Sequence, residues 1–171
     1  MTPEQGTFLL NFLLPTIERE YQTTLKMLRA IPPGKDDYRP AENSMTALDL
    51  AWHLTIARLG FLRSIAAGEF QMQPPPKPST VEEVIQFGEE KFREGVAAVK
   101  QLSPEQLVKI IDFRGMVQMP AVAFLQMALV HEVHHRGQLS VYLRPMGAKV
   151  PSIYGESFDD KQARMATAAQ N

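Results

Sequence analysis

The chain contains no cysteine, and this absence limits its chemistry before any motif is considered. Without thiols it forms no disulfide, binds no metal through sulfur and uses no cysteine nucleophile. Any metal ion would have to be held by nitrogen and oxygen atoms. The lack of cysteine also fits a reducing compartment, and we expect the protein to be cytoplasmic.

Neither sign of charge is in excess, because 18 Lys and Arg residues stand against 19 Asp and Glu residues, scattered along the chain. Nucleic-acid binding needs clustered cations that neutralise phosphates, so we expect no nucleic-acid partner. Long apolar runs are also missing. The run over residues 121–130 falls far short of the roughly 20 residues that span a bilayer, so we expect no membrane association.

What the sequence does contain is four long amphipathic segments, in which apolar residues recur three and four apart. Most of them begin with a Ser or Thr followed three residues later by Glu, Gln or Asp, which is the signal of a capping box. This pattern predicts an all-α fold, a four-helix bundle with long connections and short accessory segments. The predicted helices are Thr2–Ala30, Thr46–Gly68, a third that begins at Ser79 or Thr80 and ends near Gln101, and Pro120–Arg144.

We expect residues 1–155 to form this bundle as one domain and residues 156–171 to be a tail, either packed on the bundle or frayed. The stretch Val108–Met119 has a more extended pattern, with a turn predicted at Arg114-Gly115. Pro120 is then predicted to be the first residue of the last long helix.

Three of the four histidines lie within five residues of that last helix. His131 and His135 are four apart, so their side chains project from one face of a helix. His53 lies in the second predicted helix, and three imidazoles converge if these two helices pack together. A lone histidine is more often a hydrogen-bonded core residue, but three of them can hold a divalent ion and leave one coordination position open. His134 is rotated about 100° from His135 and is expected to serve packing or an interface.

Four further polar residues are weaker candidates for orienting a ligand or contacting a substrate. Asp49 lies one turn before His53 and is positioned to orient that ring, which would fix its tautomer. The remaining three lie on the last helix: Glu132, Gln138 and Tyr142.

The same residues satisfy the sparse pattern H-E-x-x-H, in which Glu132 would be the general base of a zinc protease. The longer metzincin pattern needs a glycine three residues past the second histidine and a further histidine. Here Gly137 is two residues past, and no histidine follows. A zinc metalloprotease is therefore the weakest functional hypothesis.

The stretch His131–Gly155, HEVHHRGQLSVYLRPMGAKVPSIYG, closely resembles a signature of the DinB-like (damage-inducible, YfiT-related) metalloprotein superfamily. The most specific matches are His135-Arg136-Gly137-Gln138, Tyr142-Leu143-Arg144, Gly147 and Pro151, together with TALDLAWHLTIA around His53. The resemblance implies a four-helix bundle in which His53, His131 and His135 hold one divalent ion. It also implies a homodimer, and a departure from the family pattern begins at Glu156.

Two functional hypotheses follow from the residues and the resemblance. The first is a metal-dependent transferase or hydrolase acting on a small molecule, since some relatives in this superfamily are metal-dependent transferases or isomerases that use small thiols. The second is a non-catalytic dimeric stress-response or binding module with a structural or vestigial metal site. Three imidazoles suit zinc, nickel or iron, so the donor set does not select the metal.

Overall fold

Four long helices, two short helices and one β-hairpin make up the described part of the chain, which is residues 1–169 of the computed structural model. A 3-10 turn, Ala121–Ala123, precedes the last long helix. The elements are α1 (Pro3–Arg29), α2 (Ala47–Ala67), α3 (Val81–Lys100), α4 (Pro104–Leu107), β1 (Ile110–Phe113), β2 (Val117–Pro120), α5 (Phe124–Leu143) and α6 (Phe158–Ala168).

The first three long helices begin at reciprocal capping boxes, as the sequence predicts. In each, a threonine hydroxyl accepts the backbone N–H three residues on, and the side chain at that position accepts the N–H of the threonine. At the other end of α2, Gly68 adopts the left-handed conformation with φ at 66°, which stops the helix. The capping pairs are Thr2–Gln5, Thr46–Asp49 and Thr80–Glu83.

The four long helices form the predicted bundle around one apolar core. Helix α2 packs between α3 and α5, and α1 completes the bundle by packing against α5 and α3. Helices α2 and α5 run antiparallel, because Phe61 meets Phe124 at one level and His53 meets His135 at another. The all-α four-helix bundle is thus confirmed. Among residues 1–169, no helix is long and apolar enough to cross a membrane.

The extended stretch between α4 and α5 is an antiparallel hairpin, with Ile110 opposite Pro120 and Phe113 opposite Val117. Its turn lies at Arg114-Gly115, as predicted. Both residues have positive φ, 55° and 71°, which is the signature of a type I′ turn.

The predicted start of the last helix at Pro120 is wrong. Pro120 is instead the final residue of β2, with an extended backbone (φ −56°, ψ 142°). The N–H of Ala121 donates to the carbonyl of Lys109 at 2.8 Å, which holds this point of the chain in the hairpin. The 3-10 turn then redirects the chain, so α5 begins at Phe124.

The C-terminal tail contains α6, capped by the Ser157 side chain. Polar contacts attach this helix to the bundle: the Asp159 carboxylate accepts the N–H of Val150 at 2.8 Å and pairs with Arg144 at 3.1 Å. No side chain of α6 is buried. Residues 170–171 lie outside the described range, and the domain boundary at 155 remains a prediction.

Candidate metal centre

Three imidazoles from two helices converge at one point between α2 and α5. His53 Nε2 lies 3.1 Å from His131 Nε2 and 3.0 Å from His135 Nε2. The candidate ligand atoms of the three rings all lie within 4.8 Å of one another. The structure thus brings together the three residues that the sequence singles out and positions them closely enough to bind a metal.

Helix packing explains the convergence. His131 and His135 are one turn apart on α5, so their rings lie next to each other on one face, with centroids 4.4 Å apart and planes tilted by 57°. On α2, His53 lies beside the fully buried Leu50 and Leu54, at the margin of the helix face that enters the core. All three rings are consequently half-buried.

Gln138 lies against His135 and favours one tautomer of its neutral ring. The side-chain carbonyl Oε1 of Gln138 is 2.9 Å from His135 Nδ1. A carbonyl oxygen only accepts hydrogen bonds, so Nδ1 carries the proton and Nε2 keeps its lone pair pointed at the other two imidazoles. Gln138 therefore lies where it can orient the His135 ring, as the sequence suggests.

The site also keeps the imidazoles of His131 and His53 neutral. Burial, and then the neighbouring His135, His53 and His134, lower the pKa of His131 to about 4. Burial, followed by the charge of His135, lowers the pKa of His53 as well. Both rings are neutral at neutral pH, which is the form in which an imidazole binds a metal ion.

The donor geometry fits a divalent ion. Each contact between two ring nitrogens needs one proton, yet Nε2 of His53 has at most one to share between two neighbours. A cation attracts all three lone pairs at once. Zinc–nitrogen bonds of about 2.0–2.1 Å in a tetrahedral site place ligand nitrogens about 3.3 Å apart, close to the 3.1 and 3.0 Å that separate His53 Nε2 from the other two Nε2 atoms.

Asp49 does not orient His53, contrary to the expectation from sequence. One carboxylate oxygen accepts from Lys77 Nζ at 2.5 Å, and the other completes the capping box of Thr46. The hydrogen bond from Lys77 is the main reason why the pKa of Asp49 is lowered, and the contact with Thr46 is the next. Both oxygens are engaged away from the site because Lys77, which approaches from the α2–α3 connection, takes the outward one.

Glu132 is likewise absent from the site. It forms an ion pair with Arg58 at 2.9 Å, and both side chains are almost fully buried in the core. One residue step rotates a helical side chain by about 100°, so Glu132 points into the core toward Arg58 while His131 points toward His53. Its carboxylate is therefore committed to Arg58, which removes the general base that the zinc-protease hypothesis requires.

Tyr142 and His134 also lie away from the three Nε2 atoms. Tyr142 is buried, and its hydroxyl donates to the carbonyl of Met45 at 3.1 Å, which ties α5 to the segment before α2. His134 is exposed and presents its ring edge-on to His135 at 4.7 Å. Tyr142 is therefore not positioned to orient a ligand, a role that the sequence did not suggest for His134.

Sequence reasoning missed Arg58, whose guanidinium lies 4.2 Å from the centre of the Tyr21 ring and pairs with Glu132. A usable signal was present. Arg58 is the sole formal charge between Asp49 and Arg63, and Glu132 is the sole one in residues 121–133. Single charges of opposite sign in two apolar helices predict a buried ion pair.

A second cluster joins the C-terminal segment to α1 and α5. The buried Arg136 pairs with Glu20 at 2.5 Å and contacts the Tyr154 hydroxyl, which itself donates to Glu20 at 2.7 Å. Arg136 also donates to Thr24. Arg136 therefore links α5, α1 and the C-terminal segment, on the side of α5 that faces α1.

A model of the DinB family matches residues 7–168. The chain belongs to the DinB family. It is similar to the uncharacterized protein YrdA of Bacillus subtilis (strain 168), with 29% identity over 154 residues, covering 88% of this chain and 91% of YrdA. It is also similar to YjoA of the same strain, with 33% identity over 126 residues, covering 72% of this chain and 82% of YjoA.

Solved structures of DinB-like proteins share the fold. The crystal structure of YjoA superposes with a TM-score of 0.69 at 28% identity, covering 85% of this chain and 99% of that one. A DinB-like protein from Bacillus cereus ATCC 10987 gives a TM-score of 0.70 at 26% identity, covering 83% and 95%. The resemblance seen in the sequence is confirmed.

Proposed function

We propose that this DinB-family chain binds one divalent metal ion through His53, His131 and His135 and serves as a metal-dependent transferase or hydrolase for a small molecule. The observation that carries the proposal is the convergence of three imidazoles, in which the Nε2 atoms of His131 and His135 lie 3.1 and 3.0 Å from His53 Nε2. Neutral rings and the hydrogen bond from His135 to Gln138 support it. Zinc, nickel or iron would suit these donors.

Three protein ligands leave a fourth position available for a water or a substrate atom, as in catalytic zinc sites. When bound, such an ion can polarise a substrate oxygen or sulfur and lower the pKa of a coordinated water. The chain's own contribution is positional: two rigid helices hold the imidazoles, and Gln138 fixes the tautomer of His135.

Within this class we favour a transferase that uses a small thiol. Some relatives implied by the family resemblance use low-molecular-weight thiols, and a thiol in the reaction would have to come from the substrate because the chain contains no cysteine. A cytoplasmic location, where such thiols stay reduced, belongs to the same proposal.

We further propose that the protein is a homodimer. The neighbouring helices α1 and α5 expose large apolar side chains, each more than 60% accessible: Phe8, Phe12, Val130 and Val141. Clustered apolar side chains on a surface favour a protein partner. The same surface also supports the alternative function, a non-catalytic dimeric binding or stress-response module whose ion is structural.

The metal content of the protein, purified without a metal-binding tag, tests the proposal. We expect about one divalent ion per chain by elemental analysis, and loss of that ion in His53→Ala with the helical circular dichroism retained. His134→Ala is the matched control and should keep the ion. Near-normal metal content in His53→Ala would refute the site.

Activity measurements then distinguish a catalytic metal ion from a structural one. A screen of small thiols with electrophilic acceptors should reveal turnover that a chelator abolishes and the metal restores. Full metal occupancy with no exchangeable coordination position would support the non-catalytic alternative instead.

A further inference from the structure

The connection between α2 and α3 contains an extended segment, Gln71–Lys77, that we call the strap. Three contacts attach it to α2. The N–H of Gln71 donates to the Ser64 hydroxyl at 2.9 Å. Lys77 Nζ lies 2.5 Å from a carboxylate oxygen of Asp49, at the opposite end of the helix.

The middle contact depends on a glycine. Met72 packs directly on the backbone of α2 at Gly60, where an added Cβ would lie 2.4 Å from the sulfur of Met72. Because Gly60 has no side chain, the end of the Met72 side chain rests on the helix backbone at this point.

The contacts on α2 share one face, and His53 lies on it. His53 comes four residues after Asp49 and seven before Gly60, and Ser64 follows Gly60 by four. These intervals return to the same side of a helix. The strap meets this face in reverse order, so it runs antiparallel to α2 and passes the level of His53 between Met72 and Lys77.

The lengths agree with this path. Helix α2 rises about 22 Å between Asp49 and Ser64. The six residue steps from Gln71 to Lys77 cover about 19 Å in a polyproline conformation, and the long Lys77 side chain spans the rest. The strap is therefore stretched along the helix with no slack for a loop away from it.

The strap is also stiff and lies close to the helix. Three consecutive prolines, Pro74–Pro76, favour the extended polyproline conformation. Pro74 and Pro75 share with Ile56 and Gly60 a cavity of about 10 Å³, room for no more than about one water molecule.

We propose that the strap is a gate over the His53 side of the three-histidine site, and that the Lys77–Asp49 ion pair is its latch. Closed, the strap limits the approach of ligands to His53; with the latch released, it swings away from α2. This control of ligand access rests on the proposed metal site. The latch is exposed, with about 40% of each side chain accessible, so it is easily released.

The test measures the reactivity of each histidine in metal-free protein. Diethylpyrocarbonate acylates neutral imidazoles, and peptide mapping by mass spectrometry gives one rate per histidine. We expect Lys77→Met to raise the rate at His53 about two- to five-fold, the range that an exposed ion pair supports. Met72→Ala should raise it as well, and the double variant more than either. His134 is exposed and should keep its rate in every variant.

Two matched variants sharpen the comparison. Lys77→Arg keeps the cation and should react as the wild type does, and Lys161→Met removes an exposed lysine on α6 and should change nothing. Higher salt should raise the rate at His53 in the wild type but not in Lys77→Met, since ions screen the latch.

An unchanged rate at His53 in the Lys77→Met and Met72→Ala variants would overturn the gate. A rise shared by all four histidines would also count against it, because that pattern reports loosening of the whole bundle. The measurement needs no metal, so the gate is decided even if elemental analysis refutes the metal site.

Discussion

Arg58 of α2 donates to Glu132 of α5 across the interior of the bundle, with Nη1 and Oε1 2.9 Å apart and both side chains at most 2% exposed. Burial of a charge is unfavourable unless a partner compensates it. Glu132 is thus a core residue with a structural partner, although it directly follows a candidate metal ligand.

Removing one partner of this ion pair should destabilise the fold without emptying the metal site. We expect Glu132→Ala to lower the free energy of unfolding by about 3–5 kcal/mol, because it leaves Arg58 charged and unpaired. Urea denaturation measures the change. The double variant Arg58→Met/Glu132→Leu should recover much of it. Wild-type stability in Glu132→Ala would show that the pair is not needed.

The stability of the metal-free protein should fall as the pH drops below about 6.5. The pKa of His131 is about 4 in the folded protein, below its ordinary value of 6.5. As the pH falls, the unfolded chain therefore binds this proton at a higher pH than the folded protein does. Neutral His131 contributes fully to stability above pH 6.5, and this contribution is lost as the pH falls toward 4. Urea melts at pH 7.5 and 5.0 check this. His131→Gln should flatten the dependence, whereas His134→Gln should leave it largely in place.

Loss of the Gln138 carbonyl should weaken metal binding while leaving all three ligands present. We expect Gln138→Leu to reduce affinity about 10–100-fold, because His135 is no longer held in the tautomer that presents Nε2. Competition with a chromogenic chelator measures the affinity. Gln138→Glu retains an acceptor and should bind nearly as well as wild type, and Gln126→Leu, an exposed change on the same helix, should have no effect. Equal affinity in Gln138→Leu would argue against the orienting role.

Introducing negative charge on the exposed face of α1 should dissociate the proposed dimer into single chains. Light scattering of the wild type should give twice the chain mass of 19.2 kDa. The variant Phe8→Glu/Phe12→Glu should give the single-chain mass, because two carboxylates cannot be buried in an apolar contact. Phe158→Glu places the same charge on α6 and should remain dimeric. A monomeric wild type, or a Phe8→Glu/Phe12→Glu variant that remains dimeric, would show that this surface is not the dimer interface.

Much of the fold was predictable because its signals are local. Capping boxes at Thr2, Thr46 and Thr80 depend on residues three apart, and they mark the starts of α1, α2 and α3. The start of α5 was missed because a cross-strand hydrogen bond from Ala121 to Lys109 holds Pro120 in the hairpin. That bond joins residues twelve positions apart, and helix-start rules do not include it.

The difference between local signals and long-range contacts also applies to the candidate site residues. Spacing shows which side of a helix a residue occupies, and so it brings His131 and His135 together. It does not show what another part of the chain contributes. Lys77 engages Asp49, and the carbonyl of Met45 engages the hydroxyl of Tyr142. Both partners lie in connections whose paths are set by packing rather than by periodicity.

His53 and His131 are 78 positions apart in sequence. On the proposed function, an ion held by both would close a loop of that length, as a disulfide does in proteins that contain cysteine. Unlike a disulfide, the ion would be released when the chain unfolds, so it would stabilise the folded state by mass action and raise the melting temperature with free metal concentration. A cysteine-free bundle would thereby gain a reversible cross-link, whose strength follows the metal supply of its surroundings.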